Sequence, residues 1–297
     1  MCGASTSTRA PTSSTSAINN AFDPSAATDG NQNAWYLNAS SDFWETEFDE
    51  LGHAQLMSNF PGEGEAEVNL LAAAVWNRKY GVDLDLAFGK SFLNLNQINR
   101  EQAALNWMVT PNFRAGKPMD ISNTTKDEVR YQQRGYAKYV EVAALFGWSA
   151  LDNFFLQENL DFITPVASDG LSGVDSRILR MSKAADADLT PLIHFWGVQP
   201  VDGVLLGKAM AAAGLKPSAA ICDRLVKYRS IIPMDNAAFA AHAKAFLNKS
   251  VITAAASPDY GEGWYHVWLP LCDASHGQAA QVAMAGILKR YFPGGRP

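Results

Sequence analysis

The segment "FDELGHAQL" (48–56) contains side chains that could bind a metal ion and activate water. Asp49, Glu50 and His53 are spaced as in H-E-x-x-H, the helical zinc motif of metallopeptidases, and only the first letter differs. In that motif, two ligands four residues apart face the metal from one side of a helix. The glutamate is the general base for the water that attacks the substrate. His53 and Glu50 match these roles, whereas Asp49 occupies the first ligand position.

A third ligand of such a site commonly comes from the next helix. The following segment, "FPGEGEAEVNLLAAAV" (60–75), offers Glu63, Glu65 and Glu67. Two interpretations are open for these carboxylates. One of them completes a metal site, or they form a solvated acidic loop whose charges suit the positive end of a helix.

The elements that must position these side chains have the periodicity of amphipathic helices. The pattern predicts a helix over 42–57, a second over 65–80 that stops at Gly81, and a third capped by Asp83 or Asp85. A long helix is predicted from Thr125 to a stop at Gly147, and further helices follow to the carboxyl end. Strand signals are sparse, and only "GWYHVWLPL" (263–271) alternates like a short strand. The predicted fold class is mainly α, with few or no strands.

Composition limits the classes of protein that remain. The chain has 297 residues, of which 47% are apolar and 18% charged, as in a globular protein. Its net charge of −6 disfavours nucleic acid as a partner, and no apolar run is long enough to predict a membrane span. Residues 1–33 are predicted to be a disordered, low-complexity lead-in without the apolar region of a signal peptide. Residues 34–297 are predicted to form one helical domain, with a possible subdivision near 215.

Several motifs in order resemble the enhancin-like, mucin-directed zinc metallopeptidases (peptidase family M-sixty), which are gluzincins. Those proteins have H-E-[LI]-G-H, a loop, a Gly-Glu pair and a V-N-[IL] helix. This sequence has "ELGH" at 50–53, "GE" at 64–65 and "VNL" at 68–70. Two later segments, "LFGWSALDNFF" (145–155) and "RILRMSKAADADLTPLIHFWGVQP" (177–200), are similar to later segments of that family. The resemblance covers roughly residues 35–215.

The resemblance implies a helical subdomain of a gluzincin-type metallopeptidase that binds Zn²⁺. It implies His53 and the Asp49 position as metal ligands and Glu50 as the catalytic base. Glu65 is preferred as third ligand over Glu63 and Glu67, because only Glu65 puts Asn69 in the family's V-N position. Protein substrates, with mucin-type glycoproteins among them, and a secreted or cell-surface location are also implied. Fewer than fifty residues precede the motif, so we expect the chain to be the carboxyl-terminal part of a longer protein.

Asp49 alters the expected chemistry. An aspartate side chain is shorter than imidazole by roughly 2 Å, and its charge makes zinc a weaker Lewis acid. The sequence therefore predicts a metalloendopeptidase with impaired hydrolysis. The alternative is a non-catalytic helical binding or scaffold protein, that is, a pseudopeptidase.

Other residues with reactive side chains give weaker signals. Cys222 and Cys272 could form a disulfide or remain free thiols. His194 lies in an apolar stretch typical of a core histidine, whereas His242 is predicted on a helix surface. The pair Tyr265–His266 could stabilise an oxyanion or belong to an aromatic core cluster.

Overall fold

The computed structural model describes residues 51–54, 58–61, 63–89, 99–119, 135–164, 169–247 and 271–297. Across these ranges the chain is helical and contains no strand, apart from one isolated bridge between Asp188 and Pro217. The mainly α prediction is therefore confirmed. The helices are α1 (Gly64–Glu67), α2 (Asn69–Ala74), α3 (Leu84–Gly89), α4 (Arg100–Met108), α5 (Pro111–Arg114), α6 (Ala137–Phe146), α7 (Trp148–Ile163), α8 (Gly173–Ala185), α9 (Thr190–Phe195), α10 (Gly203–Ala212), α11 (Ala219–Ser230), α12 (Asn236–Leu247) and α13 (Ala274–Tyr291).

The predicted helix over 65–80 is present as three joined pieces. Val68 links α1 to α2 with helical dihedral angles (φ −56°, ψ −31°), and α2 continues into a π-helical turn, Val75–Lys79. The chain then leaves the helix at Gly81, whose φ of 67° is left-handed and favours glycine. The predicted stop at Gly81 is confirmed.

Local side-chain caps explain where the next two helices begin. Asp83 caps α3 by accepting hydrogen bonds from the backbone N–H groups of Asp85 (2.9 Å) and Leu86 (3.2 Å). Asn99 and Gln102 form a reciprocal capping box at the start of α4. Of the two caps considered for α3, the structure therefore selects Asp83.

The long helix predicted from Thr125 is not continuous. Gly135 and Tyr136 form a turn directly before α6, and Thr125 itself lies outside the described residues. Glycine in a helix interior costs about 1 kcal/mol relative to alanine, which favours a break at Gly135. At the other end, Gly147 (φ 82°) separates α6 from α7, so the predicted stop there is confirmed.

The core is built around α6, α7 and α8, which pack side by side. Helices before and after residue 215 contribute to the same apolar core. For example, the Phe195 ring on α9 stacks on Tyr228 of α11 with centroids 5.1 Å apart. Trp107 of α4 donates its indole N–H to the Phe195 carbonyl oxygen at 2.6 Å, so a buried polar group is satisfied inside this aromatic cluster.

Several sequence predictions on individual residues can be compared with the structure. Cys222 and Cys272 do not form a disulfide with each other. The surface position predicted for His242 is wrong: this side chain is half-buried, and burial lowers the pKa of its imidazole to about 4. The pair Tyr265–His266 and the segment predicted as a strand up to Pro270 lie outside the described residues.

No helix in the described part of the chain is long and apolar enough to cross a membrane.

Candidate metal centre

The second half of the candidate zinc motif is helical and packs against the α1–α2 junction. Residues 51–54 are helical; Gly52 and Ala54 are buried and His53 is half-buried. A Cβ atom added to Gly52 would lie 2.6 Å from the Cβ and 2.8 Å from the Cα of Val68. Only glycine therefore allows the two helical segments to approach this closely. Asp49 and Glu50 lie outside the described residues.

Two of the three acidic residues considered as third ligand are already paired inside the protein. Glu63 forms a fully buried ion pair with Lys138 of α6. Its other carboxylate oxygen accepts hydrogen bonds from the Phe60 backbone N–H (3.0 Å) and the Tyr139 hydroxyl (2.9 Å). Binding a metal through Glu63 would break these contacts and leave the Lys138 ammonium without its partner. This geometry argues against Glu63 as a ligand.

Glu67 is the last residue of α1 and lies about one helical turn after Glu63, the N-cap residue. It forms an ion pair with Arg177 of α8. The guanidinium donates to Oε1 of Glu67 at 2.7 Å, with both side chains almost completely buried. Arg177 also donates to the Tyr139 hydroxyl at 3.1 Å, which links the two ion pairs. Glu65, between them in sequence, is described only by its backbone on α1, so its side-chain position is untested.

Arg177 shares its charge with a further acidic residue. It forms an ion pair with Glu158 of α7, and Arg180, one turn further along α8, pairs with the same carboxylate. The buried charge network thus consists of Glu63, Glu67, Glu158, Lys138, Arg177 and the half-buried Arg180. Arg180 also lies 3.8 Å from the Asp161 carboxylate, measured from Nε to Oδ2. Each buried charge of the network thus has a partner of opposite sign, which is the condition under which buried charges are tolerated.

Burial is the largest influence on the pKa values of this network. It raises the pKa of Glu67 to about 8, against the lowering effect of Arg177, and the Glu63 charge raises it further. Burial also lowers the pKa of Lys138, opposed by the neighbouring Glu63 carboxylate. Oε2 of Glu67 has no hydrogen-bond partner within the described structure. Arg177 is therefore the largest influence that favours the charged form of Glu67, with smaller contributions from Lys138 and Tyr139.

A cavity of about 240 Å³ adjoins both the motif segment and the charge network. Gly52, Glu67 and Val68 form one side, and Trp148 and Phe155 of α7 form part of the other. The cavity is lined mainly by apolar side chains, and Glu67 is the most deeply buried of its polar lining residues in the described structure.

An ion pair lies at the edge of this cavity. Arg78 and Asp152 form two hydrogen bonds, at 2.7 and 3.0 Å, with about half of each side chain exposed. The Arg78 guanidinium also lies over the Trp148 ring, 5.9 Å from its centroid. These contacts connect the π-helical turn to the start of α7.

A further buried carboxylate, Glu141, lies one helical turn after Lys138 on α6. It accepts a hydrogen bond from the Tyr228 hydroxyl and lies 3.5 Å from Arg224 and 3.6 Å from Arg100. Burial raises the pKa of Glu141, and the two arginines oppose that effect. The helix α6 thus places one buried cation and one buried anion in two separate polar clusters.

The residues present are compatible with zinc in their chemistry, since imidazole and carboxylate are both common zinc ligands. Within the described ranges no group of three His, Cys, Asp or Glu side chains could hold a metal ion. The predicted set, however, includes Asp49, Glu50 and the Glu65 side chain, which those ranges omit. Among the described side chains, the buried contacts of Glu63 argue against that residue as third ligand.

The sequence did not reveal the importance of Lys138, Tyr139 and Arg177. A weak signal exists, because Lys138 and Glu141 interrupt the otherwise apolar run "YVEVAALF" and its flank. Arg177 likewise directly precedes Ile178 and Leu179, which are both buried. A charged residue inside such a run indicates a buried partner, although it does not say which one.

Comparison of the chain with protein families, curated proteins and solved structures gave no match. The hypothesis of a metal centre depends on the motif residues and on the contacts described above.

Proposed function

We propose that this protein is a zinc metallopeptidase-like protein of the enhancin type. Asp49, His53 and Glu65 would be its metal ligands and Glu50 its general base. Its substrates would be proteins, with mucin-type glycoproteins as the class that the family resemblance implies. Hydrolysis would be slow, because Asp49 stands where these peptidases have a histidine.

The observation that supports this proposal best is the close approach of Gly52 to Val68. His53 directly follows Gly52 along its helix, and Glu65 precedes Val68 by one turn of the other. Helices usually pack with axes 8–10 Å apart, and a glycine at the contact favours the low end of that range. Side chains from adjacent turns of two such helices can reach a common metal ion at about 2 Å from each.

The ion pairs of Glu63 and Glu67 provide a second argument. Each of these carboxylates already has a buried cationic partner, Lys138 for Glu63 and Arg177 for Glu67. Glu65 has the position in sequence that the family resemblance assigns to the third ligand. Both arguments favour the same residue, and they are independent of each other.

The roles of the protein's own groups follow from their chemistry. When bound, zinc would polarise the scissile carbonyl and make a water molecule more acidic. Glu50 would accept the proton of the attacking water and pass it to the leaving amine. Asp49 adds a negative charge beside Glu50 and Glu65, which weakens the Lewis acidity available at this position. The expected result is residual, chelator-sensitive peptide hydrolysis.

The proposal is tested on the full chain by metal analysis and by digestion of casein and a mucin. We expect zinc to bind and a slow cleavage that stops with 1,10-phenanthroline and is lost in Glu50→Gln. The Glu50→Gln variant should still bind zinc, since Glu50 is not a ligand. If neither zinc nor cleavage is detected, the alternative of a non-catalytic helical binding or scaffold protein is favoured.

A further inference from the structure

A second cavity, of about 400 Å³, lies among α4, α5, α9 and α13. None of its lining residues belongs to the candidate metal centre or to the buried charge network. The helix α13 forms one wall and packs against α5 and α9. This cavity therefore requires an explanation separate from peptide hydrolysis.

The polar lining of this cavity is cationic. Arg114, Lys117 and Arg290 contribute to the wall, and among the described lining residues there is no aspartate or glutamate. None of the three forms an ion pair with an acidic residue in the described part of the chain, unlike the arginines of the two buried networks. The positive charge of this cluster is opposite in sign to the net charge of the whole chain, which is −6. Unpaired cations around one concavity attract an anion.

One of these cations is held in position by the backbone. The Arg114 Nε–H donates to the carbonyl oxygens of Val109 (3.0 Å) and Thr110 (3.3 Å). An arginine anchored through Nε keeps its terminal nitrogens available for an anion at little further entropic cost. Lys117 follows within three residues of Arg114, and Arg290 is contributed by the last turn of α13.

His194 lies in the same wall but does not add to the positive charge. Its Nδ1 shares a 2.7 Å hydrogen bond with the Tyr291 hydroxyl. Burial, assisted by the nearby Arg290 charge, lowers the pKa of His194 to about 4, so the imidazole is neutral at neutral pH. The charge of the pocket at that pH comes from Arg114, Lys117 and Arg290.

The rest of the lining is mainly apolar and leaves room for a ring system. Ala283 and Ile287 on α13 are half-buried and present carbon surface, whereas Trp107 and Phe113 are almost completely buried. Gly286 on α13 has no side chain to fill the space. A Cβ atom added to Gly286 would meet no atom within 4 Å. An apolar cavity of about 150 Å³ can hold benzene, so 400 Å³ is enough for two fused rings.

We propose that this pocket binds a small organic anion, a carboxylate or sulfonate attached to an aromatic body of about two rings. Arg114, Lys117 and Arg290 would bind the charged group. Ala283 and Ile287 would contact the rings. Neither feature alone would suffice, because the cations are partly solvated and the apolar surface is small.

The probe for a first test is 2-naphthalenesulfonate, titrated calorimetrically into the full chain at neutral pH and low salt. Two partial ligands accompany it: 2-naphthol, which has the rings without the charge, and sulfate, which has the charge without the rings. We expect each partial ligand to bind at least about tenfold more weakly than the probe, because 2-naphthol lacks the charged group and sulfate lacks the rings. Equal binding of 2-naphthol or of sulfate would overturn the proposal.

Variants locate the binding. Arg114→Gln and Arg290→Gln should each weaken binding of the probe about tenfold or more. Lys289→Gln is the matched control, because it removes an exposed cation next to Arg290 that does not line the pocket. Equal affinity for wild type, Arg114→Gln and Arg290→Gln would place the probe elsewhere and contradict the proposal.

A blocking variant separates loss of the site from loss of the fold. Gly286→Leu puts a side chain into the open space of the pocket and replaces a poor helix former within α13. The melting temperature should therefore stay the same or rise, while binding of the probe disappears. Unchanged binding in this variant would show that the pocket is not the site.

Discussion

Gly52 lies so close to Val68 that a single added methyl group would come within 2.6 Å of the Val68 Cβ. The contact joins the segment that contains His53 to the junction of α1 and α2, two elements that are otherwise separated by a loop. It also explains a glycine at a helical position, where glycine is unfavourable unless another backbone approaches closely. The arrangement of the candidate metal centre depends on this contact.

Gly52→Ala should destabilise the protein by about 1–3 kcal/mol, because the added Cβ overlaps Val68 and the two helices must move apart. Urea denaturation of the two proteins measures the difference. Gly207→Ala is the matched control: this glycine is inside α10, and a Cβ there meets nothing within 4 Å. It should raise stability by up to about 1 kcal/mol. Equal effects of the two substitutions would contradict the role assigned to Gly52.

Arg177→Met should be among the most damaging substitutions in the chain. It leaves the buried carboxylates of Glu67 and Glu158 without their shared cation, at an expected cost of about 3–5 kcal/mol in the free energy of unfolding. For comparison, Arg78→Met removes an ion pair whose two side chains are about half exposed, and it should cost less than about 1 kcal/mol.

Glu67→Gln provides an internal check on that interpretation. In the double variant with Arg177→Met, the Glu67 carboxylate that would otherwise lack its cation is no longer present. The loss of stability should therefore be smaller than the sum of the losses in the two single variants. The expected coupling is about 0.5–3 kcal/mol by a double-mutant cycle. Strict additivity would mean that the Arg177–Glu67 contact contributes nothing of its own.

Asp49→His tests whether the motif is a zinc site with one defective ligand. The substitution places two imidazoles four residues apart, so zinc affinity measured by isothermal titration should rise well above that of the wild type. Glu65→Ala in this background should weaken zinc binding again with little effect on stability. Activity need not return with the metal, because hydrolysis also requires alignment of the substrate.

Glu63→Ala is the contrasting variant in the same experiment. It should lower stability strongly, since it leaves Lys138 buried without its carboxylate. Glu63→Ala should thus lower the free energy of unfolding measured by denaturation, rather than primarily the affinity for zinc. If Asp49→His binds zinc no better than the wild type, or if Glu65→Ala does not weaken that binding, the metal-site hypothesis fails.

His194 should make stability sensitive to moderate acid. Its pKa is about 4 in the folded protein and about 6.5 in the unfolded chain. Between these values the unfolded state binds a proton that the folded state does not. The contribution of His194 to the free energy of unfolding is therefore fully present above pH 6.5. As the pH falls below that value, the free energy of unfolding decreases, by up to about 3 kcal/mol at pH 4.

The measurement compares wild type with His194→Asn by urea denaturation from pH 7 to pH 4.5. Glu67 has a raised pKa and contributes with the opposite sign, so the difference between the two proteins is more informative than either curve. That difference should shrink as the pH falls. Tyr291→Phe, which removes the hydrogen-bonding hydroxyl but keeps the imidazole, should follow the wild-type profile. Parallel curves for wild type and His194→Asn would contradict the assignment.

Periodicity and turn residues were sufficient to predict the helical class and several boundaries. Gly81 and Gly147 were recognisable as helix ends because a left-handed backbone conformation favours glycine. The break at Gly135 was missed, since the apolar pattern continues across it and a single glycine does not always end a helix.

The buried charges could not be predicted in the same way. Arg177 and Glu67 are 110 residues apart in sequence, and a pattern-based method assigns charged residues to the surface. For the same reason, residue spacing alone left Glu63, Glu65 and Glu67 open as third ligand, and only the family resemblance preferred Glu65. The buried pairing of Glu63 with Lys138 and of Glu67 with Arg177 became visible only in the structure.

The buried contacts of Lys138 and Glu141 can form together in only one position of α6 along and around its axis. Advancing the helix by one residue turns every side chain by about 100°. That movement would withdraw Lys138 from Glu63 and Glu141 from Tyr228 at the same time. The valines and alanines of α6 are similar enough in size that apolar packing alone would discriminate poorly among such shifted arrangements. Two buried charges without partners would each cost several kcal/mol, so the misaligned compact states are excluded by electrostatics rather than by shape.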